Sequence, residues 1–352
     1  MLKVFHAWVD RYFSDEEAVV LFLILGFGLL FVVLWGDIMA PVIASVIFAF
    51  VLQGMVTYLY SKGVNKTLAV YLSFTFFMGI VITFIFYLLP LVWRQLSSLV
   101  KDSPNIFNEL KTYIFALRDQ YPAFVSIQEM ENLYQRVTVE AAGFGQWLLS
   151  QSIESFPVVI TILIYFIVVP ILVFFFVKDK DQLLSDIAGV LPKNRVLMTK
   201  VWDEMNVQFA NYVRGKVVEI VVVGGVTYIG FLFMGLNYGA LLAILVGLSV
   251  VIPYIGAVLV TIPVMMIALF QFGFQEEFYY VMLVFLVIQI IDGNVLVPLL
   301  FSEVVNLHPV IIIISVLFFG GVWGVWGVFF AIPLATLVKA VLTSWPRRLA
   351  LD

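Results

Sequence analysis

Apolar runs long enough to cross a membrane recur along the whole chain. A hydrocarbon core about 30 Å thick is spanned by about 20 apolar residues in a helix. Of the 352 residues, 63% are hydrophobic and 12% are charged, whereas about 25% are charged in an average soluble domain. Six runs match one span: 18–35, 38–60, 68–93, 156–177, 217–236 and 278–301. The sequence therefore predicts an all-α polytopic membrane protein.

Two further apolar runs, 239–273 and 309–342, are too long for one ordinary span. A straight helix of either run would reach about 50 Å. Each run is interrupted near its middle by helix-breaking residues, which are Pro253 and Gly256 in the first and Gly321, Gly324 and Gly327 in the second. We expect each to be either one broken, tilted helix or a re-entrant hairpin, which makes about eight hydrophobic segments in all.

Polar stretches divide the chain into four consecutive parts. Residues 1–93 are expected to hold an interfacial helix at 2–13 and three transmembrane helices. Residues 94–155 are expected to form an extracytoplasmic segment of amphipathic helices. A transmembrane helix and a cytoplasmic basic segment follow in 156–216, and residues 217–352 form a transmembrane core that holds most of the motifs.

The distribution of lysine and arginine predicts the orientation of the chain. Segment 178–216 carries seven basic residues, and Lys62 and Lys66 lie in the loop after the second apolar run. Because basic loops stay in the cytoplasm, we expect both termini inside and 94–155 outside. The same side for both termini requires that the two interrupted runs share one architecture. The net charge of −4 gives no reason to expect a nucleic-acid partner.

Asp292 is the main candidate for a functional residue, because an ionisable group inside an apolar span usually faces a cavity, a partner or an ion path. Gln289 precedes it by one helical turn, and Asn294 would join them if Gly293 loosens the helix. Carboxylate and amide oxygens suit a proton or a hard cation such as Na⁺. The alternative is an aspartate at the membrane interface that caps a short helix.

Three more ionisable residues are candidates for a role in coupling. Arg214 precedes the fifth span and would bind an anionic group or pair with Glu219 or Asp292, unless it is an interface anchor. His308 titrates near neutral pH and would gate proton-coupled movement, unless it is a structural loop residue before a proline.

The interruptions in the two long runs are candidates for lining a binding site. Backbone groups freed by a break are tolerated only where they face protein, water or a ligand, and interrupted helices in matching positions indicate the binding site of a transporter. The residues concerned are Pro253, Gly256, Gly293, Gly321, Gly324 and Gly327. The alternative for the glycines is close helix packing.

The sequence lacks the signatures of an enzyme. It contains no HExxH, no GxSxG and no P-loop, and without cysteine and with only two histidines a structural zinc site is implausible. We expect no cofactor. Three classes remain: a secondary transporter, an uncoupled channel and, less favoured, an intramembrane enzyme.

Four motifs of the second half resemble the autoinducer-2 exporter (AI-2E) family of bacterial transporters: Tyr212–Gly215, Ile252–Gly256, Asp292–Pro298 and Asn306–Pro309. The resemblance implies a permease of the bacterial cytoplasmic membrane that is surrounded by lipid and forms a homo-oligomer. It implies export of a small signalling molecule such as autoinducer-2, or sodium/proton antiport as in other members. The family commonly has Glu where this chain has Asp292, so the ion geometry is expected to differ.

The leading hypothesis is a secondary transporter coupled to a cation or a proton. A carboxylate at Asp292 suits a cation better than a neutral, hydroxyl-rich solute. A competing exchange of proton and Na⁺ at this one residue would give antiport.

Overall fold

The computed structural model describes residues 16–120, 156–192, 195–301 and 307–345, and between 120 and 156 only residues 135, 139 and 143. The predicted interfacial helix at 2–13 lies outside the described residues, as does most of 94–155 beyond Gln120. The described chain consists of helices and their connections and contains no strand. This confirms the prediction of an all-α protein.

Eleven α-helices make up the described part of the chain. They are α1 (Glu16–Ser61), α2 (Lys66–Thr83), α3 (Leu89–Gln120), α4 (Phe156–Lys178), α5 (Lys180–Val190), α6 (Val196–Phe233), α7 (Gly239–Ser249), α8 (Ile255–Phe272), α9 (Glu276–Ile291), α10 (Val297–Phe301) and α11 (Pro309–Ser344). Two π-helical segments, Phe84–Leu88 and Asp292–Leu296, connect α2 to α3 and α9 to α10.

Seven stretches of the described helices are long and apolar enough to cross a membrane. They are Glu16–Gly36, Ile38–Ser61, Lys66–Glu109, Val196–Phe233, Ile255–Phe272, Glu276–Phe301 and Pro309–Thr343, and two shorter apolar stretches are Leu163–Lys178 and Gly239–Ser249. Large apolar side chains such as Phe27, Phe86 and Leu299 are more than two-thirds exposed. Such surfaces require a lipid environment, so the polytopic membrane assignment is confirmed.

The first two apolar runs lie in one helix, α1, which bends back on itself. A straight helix would separate Glu17 from Phe50 by about 50 Å. Glu17 Oε1 accepts a hydrogen bond from the Met198 amide at 2.7 Å, and the Phe50 ring lies 5.1 Å from that of Phe209. These two positions on α6 are only about 17 Å apart. The bend falls between the contacts, in the stretch that contains Pro41.

The run 239–273 is broken, as predicted. Helices α7 and α8 are joined by a short turn in which Tyr254 has a φ of 63°. A Cβ at Gly256 would overlap the carbonyl oxygen of Ser249. Residues seven apart in a continuous helix are about 10 Å apart along its axis. The chain therefore doubles back, and α7 and α8 pack against each other.

The run 309–342 is broken in the same way. Gly324 inside α11 has a φ of 60° and a ψ of −137°, which no helix contains. A Cβ at Gly327 would overlap the carbonyl oxygen of Phe319, eight residues earlier. The chain reverses at Gly324, and we call residues 325–344 the return arm of α11.

The packing divides the chain into two compact units that are interleaved along the sequence. The first unit comprises 1–75, 167–217 and 300–352, and the second comprises 76–166 and 218–299. In the first unit, Leu21 of α1 packs with Met198 and Val201 of α6. In the second unit, α3, α6, α7, α8 and α9 share one apolar core.

In the second unit, two side chains of helix α3 contact the N-terminus of α7. The amide of Leu241 donates to Gln95 Oε1 at 2.8 Å, and the Tyr238 hydroxyl donates to Asp102 Oδ2 at 2.6 Å. The first contact satisfies one of the amides that every helix leaves unpaired in its first turn. Burial, together with the hydrogen bond to Asp102, raises the pKa of Tyr238 to about 12.

Helices α6 and α7 approach each other closely where two glycines meet. A Cβ at Gly247 would lie 2.9 Å from the Ile220 carbonyl oxygen and 3.1 Å from the Gly224 Cα. Gly225, the neighbour of Gly224, has open space at the corresponding position. The crossing therefore depends on small residues, as is common between membrane helices.

We expect Gly247→Ala to destabilise the protein by about 1–3 kcal/mol, because the added methyl group meets backbone atoms that cannot rotate away. Gly225→Ala is the matched control and should leave stability unchanged or raise it by up to about 1 kcal/mol. Thermal unfolding in detergent, followed by tryptophan fluorescence, measures both. Equal unfolding temperatures for the two variants would show that the close crossing is wrong.

Candidate functional site

Asp292 lies where α9 ends and a π-helical segment begins. It is 9% exposed, and it belongs to an apolar stretch, Glu276–Phe301, that is long enough to cross a membrane. Its amide donates to the carbonyls of both Ile288 and Gln289, and its own carbonyl accepts from the amide of Val297, five residues on. Short π-helical segments in α-helices are frequent at functional sites.

Gln289 and Asn294 differ in how they relate to Asp292. Gln289 lies one turn earlier, and its Nε2 is buried without a hydrogen-bond partner among the described residues. Asn294 is exposed, and its Nδ2 donates to the carbonyl of Ile290 at 2.9 Å. The structure therefore brings Asp292 and Gln289 to one side of neighbouring turns, whereas the amide of Asn294 is used by its own helix.

Glu219 is a second buried carboxylate in the unit that contains Asp292. It is 2% exposed and lies on α6. Two turns further along α6, Thr227 is 0% exposed, and its hydroxyl has no hydrogen-bond partner among the described residues. The sequence analysis did not find Thr227, because a threonine among valines carries no signal of burial.

Arg214 in the first unit is anchored to α1. Its Nε donates to the Phe50 carbonyl at 3.1 Å. That carbonyl also faces Gly54, four residues on, where a Cβ would lie 3.0 Å from the Arg214 Nε. The missing side chain at Gly54 thus lets the guanidinium reach the backbone of α1. The contact ties Arg214 to α1, while its roles as an interface anchor or as a partner of an anionic group, Glu219 or Asp292, stay predictions.

Two buried polar residues, Lys216 and Tyr212, were not among the candidate site residues of the sequence analysis, although Tyr212 begins the Tyr212–Gly215 motif. Lys216 is 4% exposed, and its Nζ lies 5.0 Å from the ring centroid of Phe301 and 6.0 Å from that of Tyr212. Aromatic faces at these distances stabilise a cation. The spacing of four residues on one helix was the signal available for the Tyr212–Lys216 pair.

His308 lies at the start of α11 and is exposed. Its Nδ1 accepts a hydrogen bond from the Val310 amide at 3.3 Å, and Pro309 occupies the first helical position. Both are ordinary features of a helix N-terminus. The structure thus gives His308 a capping contact, which is the structural alternative to gating.

The residues at the helix breaks fall into two groups. Gly256 and Gly327 are in close contact with backbone, whereas Gly293, Gly321 and Gly324 have open space where a Cβ would be. Pro253 lies in the turn between α7 and α8. Packing explains the first group, and the conformation of the turn explains Gly324.

A metal ion bound at Asp292 would take most of its ligands from neutral oxygens. Within the described ranges, no group of three His, Asp or Glu side chains is close enough to bind a metal ion together. Amide and backbone carbonyl oxygens are ligands that hard cations accept.

Gly327→Ala should destabilise the protein by about 2–3 kcal/mol, because the methyl group would meet the Phe319 carbonyl at the reversal of α11. Gly321→Ala, at an open helical position of the same reversal, should be tolerated. Thermal unfolding of the purified variants tests this difference, and a stable Gly327→Ala protein would argue against the reversal.

Comparison with known proteins gives one consistent result. Residues 19–347 match the family described as AI-2E family transporter. The chain is 46% identical over 348 residues, or 98% of each chain, to the "Putative permease PerM" of Escherichia coli (strain K12). It is 25% identical to the "Putative transport protein YueF" of Bacillus subtilis (strain 168), over 91% of this chain and 88% of that protein. A "Putative transport protein" of Thermotoga maritima is 24% identical over 90% of each chain.

Proposed function

This chain belongs to the AI-2E transporter family, and we propose that it is a secondary transporter in which Asp292 couples transport to a gradient of protons or Na⁺. The observation that carries the proposal is the burial of Asp292 at a π-helical break inside an apolar, membrane-length stretch. A charge in such a place is costly and is usually functional.

Competition between two cations at Asp292 supplies the coupling. A buried carboxylate is neutralised either by a proton or by a bound cation, and binding of one disfavours the other. The Gln289 side chain, whose Nε2 is buried, lies on the neighbouring turn, and its carbonyl oxygen is a suitable further ligand for a hard cation. Sodium/proton antiport follows directly from this chemistry. Export of a small signalling molecule such as autoinducer-2 would use the same coupling to drive a different cargo.

The contacts of the first unit support one common side for both termini and the basic segment. At the start of α1, Glu17 contacts Met198, and Leu337 and Val341 of α11 pack on the same cluster. At the start of α2, the Lys66 Nζ lies 2.6 Å from Asp181 Oδ2. This hydrogen bond, together with the charge of Lys66, holds the pKa of Asp181 below its usual range. By the positive-inside rule, this common side is the cytoplasmic side of the bacterial cell membrane.

The short helix α7 supports a re-entrant hairpin at 239–273. Its eleven residues reach about 16 Å, roughly half of the hydrocarbon thickness. A re-entrant hairpin would bring the polar backbone of the turn into the membrane, where it must face protein or a water-filled path. A homo-oligomer in lipid would provide such surroundings for the transport path.

Asp292→Asn should abolish gradient-driven flux in proteoliposomes, because it preserves the shape of the side chain but removes both its charge and its titration. Asp292→Glu should retain part of the activity, since it keeps the carboxylate. Asp186→Asn, at an exposed position on α5, is the matched control and should transport normally. Imposed Na⁺ and pH gradients distinguish coupled transport from an uncoupled channel. Unchanged Na⁺ and pH dependence in folded Asp292→Asn protein would exclude Asp292 as the coupling residue.

The orientation is tested by single cysteines in this cysteine-free chain. An impermeant thiol reagent should label Ser185→Cys, on α5, only from the cytoplasmic side. It should label Thr112→Cys, on α3, only from outside. Both positions are exposed. Labelling of the two cysteines from the same side would overturn the proposed topology.

A further inference from the structure

Pro333 leaves one carbonyl of the return arm without its helical donor. In an α-helix the carbonyl of Phe329 would accept from the amide of residue 333, but proline has no N–H. The return arm is helical on both sides of Pro333. A carbonyl that has lost its donor is costly in apolar surroundings, where water is not available to replace it.

Tyr212 of α6 supplies the missing donor. Its hydroxyl donates to the Phe329 carbonyl oxygen at 3.0 Å. The tyrosine is 2% exposed, and its ring meets that of Phe329 edge-on at 6.2 Å. The hydrogen bond therefore joins two helices of the first unit at the position where one of them lacks an internal bond.

A second contact holds the same part of the return arm. Phe209, one turn before Tyr212 on α6, stacks on Phe330 with ring planes 9° apart and centroids 5.6 Å apart. Both contacts come within six residues of Gly324, where α11 has no helical geometry to fix its direction. These contacts with α6 hold the return arm, together with its close packing on the first half of α11 at Gly327.

We propose that Tyr212 is a positioning residue for the return arm of α11, and that its hydroxyl does so by replacing the hydrogen bond that Pro333 removes. The proposal gives a physical role to the first residue of the Tyr212–Gly215 motif. Its consequence for transport rests on the proposed function, because the reversal of α11 is one of the breaks that the sequence predicts to line a binding site.

The test is a double-mutant cycle with two readouts. Tyr212→Phe removes only the hydroxyl, and Pro333→Ala returns an N–H group to the helix. Tyr228→Phe, on the same helix at an exposed position, is the matched control. Amide hydrogen exchange of the return arm reports on the hydrogen bond without any assay of transport, and flux into proteoliposomes reports on function.

Tyr212→Phe should speed exchange in the return arm about five- to tenfold, as expected for loss of a hydrogen bond that leaves a buried acceptor. Transport should slow by a similar factor, and Tyr228→Phe should change neither. In the double variant the amide at position 333 donates to the Phe329 carbonyl, so both readouts should return towards the values of Pro333→Ala alone. If Tyr212 contributed only the packing of its ring, Tyr212→Phe would change neither readout.

Unchanged exchange in Tyr212→Phe, or a double variant as impaired as Tyr212→Phe, would overturn the proposed replacement. Restored exchange without restored transport would overturn the positioning role. If the unaltered protein shows no gradient-driven flux, the proposed function fails, whereas the exchange data still decide whether Tyr212 replaces the missing bond.

Discussion

The backbone of a membrane helix must satisfy its hydrogen bonds without water, and this constraint explains the polar contacts of the fold. Pro104, in the part of α3 that we expect outside the membrane, removes the donor of the Val100 carbonyl, and the Ser103 hydroxyl donates to that carbonyl at 2.8 Å. In the return arm of α11 the replacement comes from Tyr212, on another helix. A replacement donor from the same helix satisfies that helix alone. A replacement donor from another helix also links the two helices.

Buried charges are the second departure from a purely apolar interior. Lys216 and Glu219 lie on α6, and Asp292 follows α9, and each is at most 9% exposed. Burying an ionised group costs more than its interactions usually return, so stability does not explain their presence. The aromatic rings around Lys216 reduce this cost. Of these three residues, Asp292 lies in one of the motifs that resemble the AI-2E family, and in the proposed function its charge serves coupling rather than folding.

Much of the fold was predictable because apolar length is a local property. The spans, the two interrupted runs and the isolated Asp292 follow from composition over about 20 residues. The two spans 18–35 and 38–60 implied a reversal between them, but it was not predictable that both lie in one bent helix, α1. Arg214 was predicted as an anchor or an ion partner, but its acceptor, a backbone carbonyl exposed beside Gly54, depends on long-range packing. The burial of Thr227 has the same origin.

The glycines show why breaks in these helices differ in kind. Gly247, Gly256 and Gly327 have backbone atoms where a side chain would be, so they are required by close approach. Gly293 has no such neighbour, although it directly follows Asp292 in the π-helical segment. A glycine in a helix is about 1 kcal/mol less stable than alanine, and packing does not compensate for that loss at position 293. In the proposed function, its effect is to lower the cost of local rearrangement at the carboxylate. A coupling residue that must bind and release a cation needs that freedom more than it needs a rigid helix.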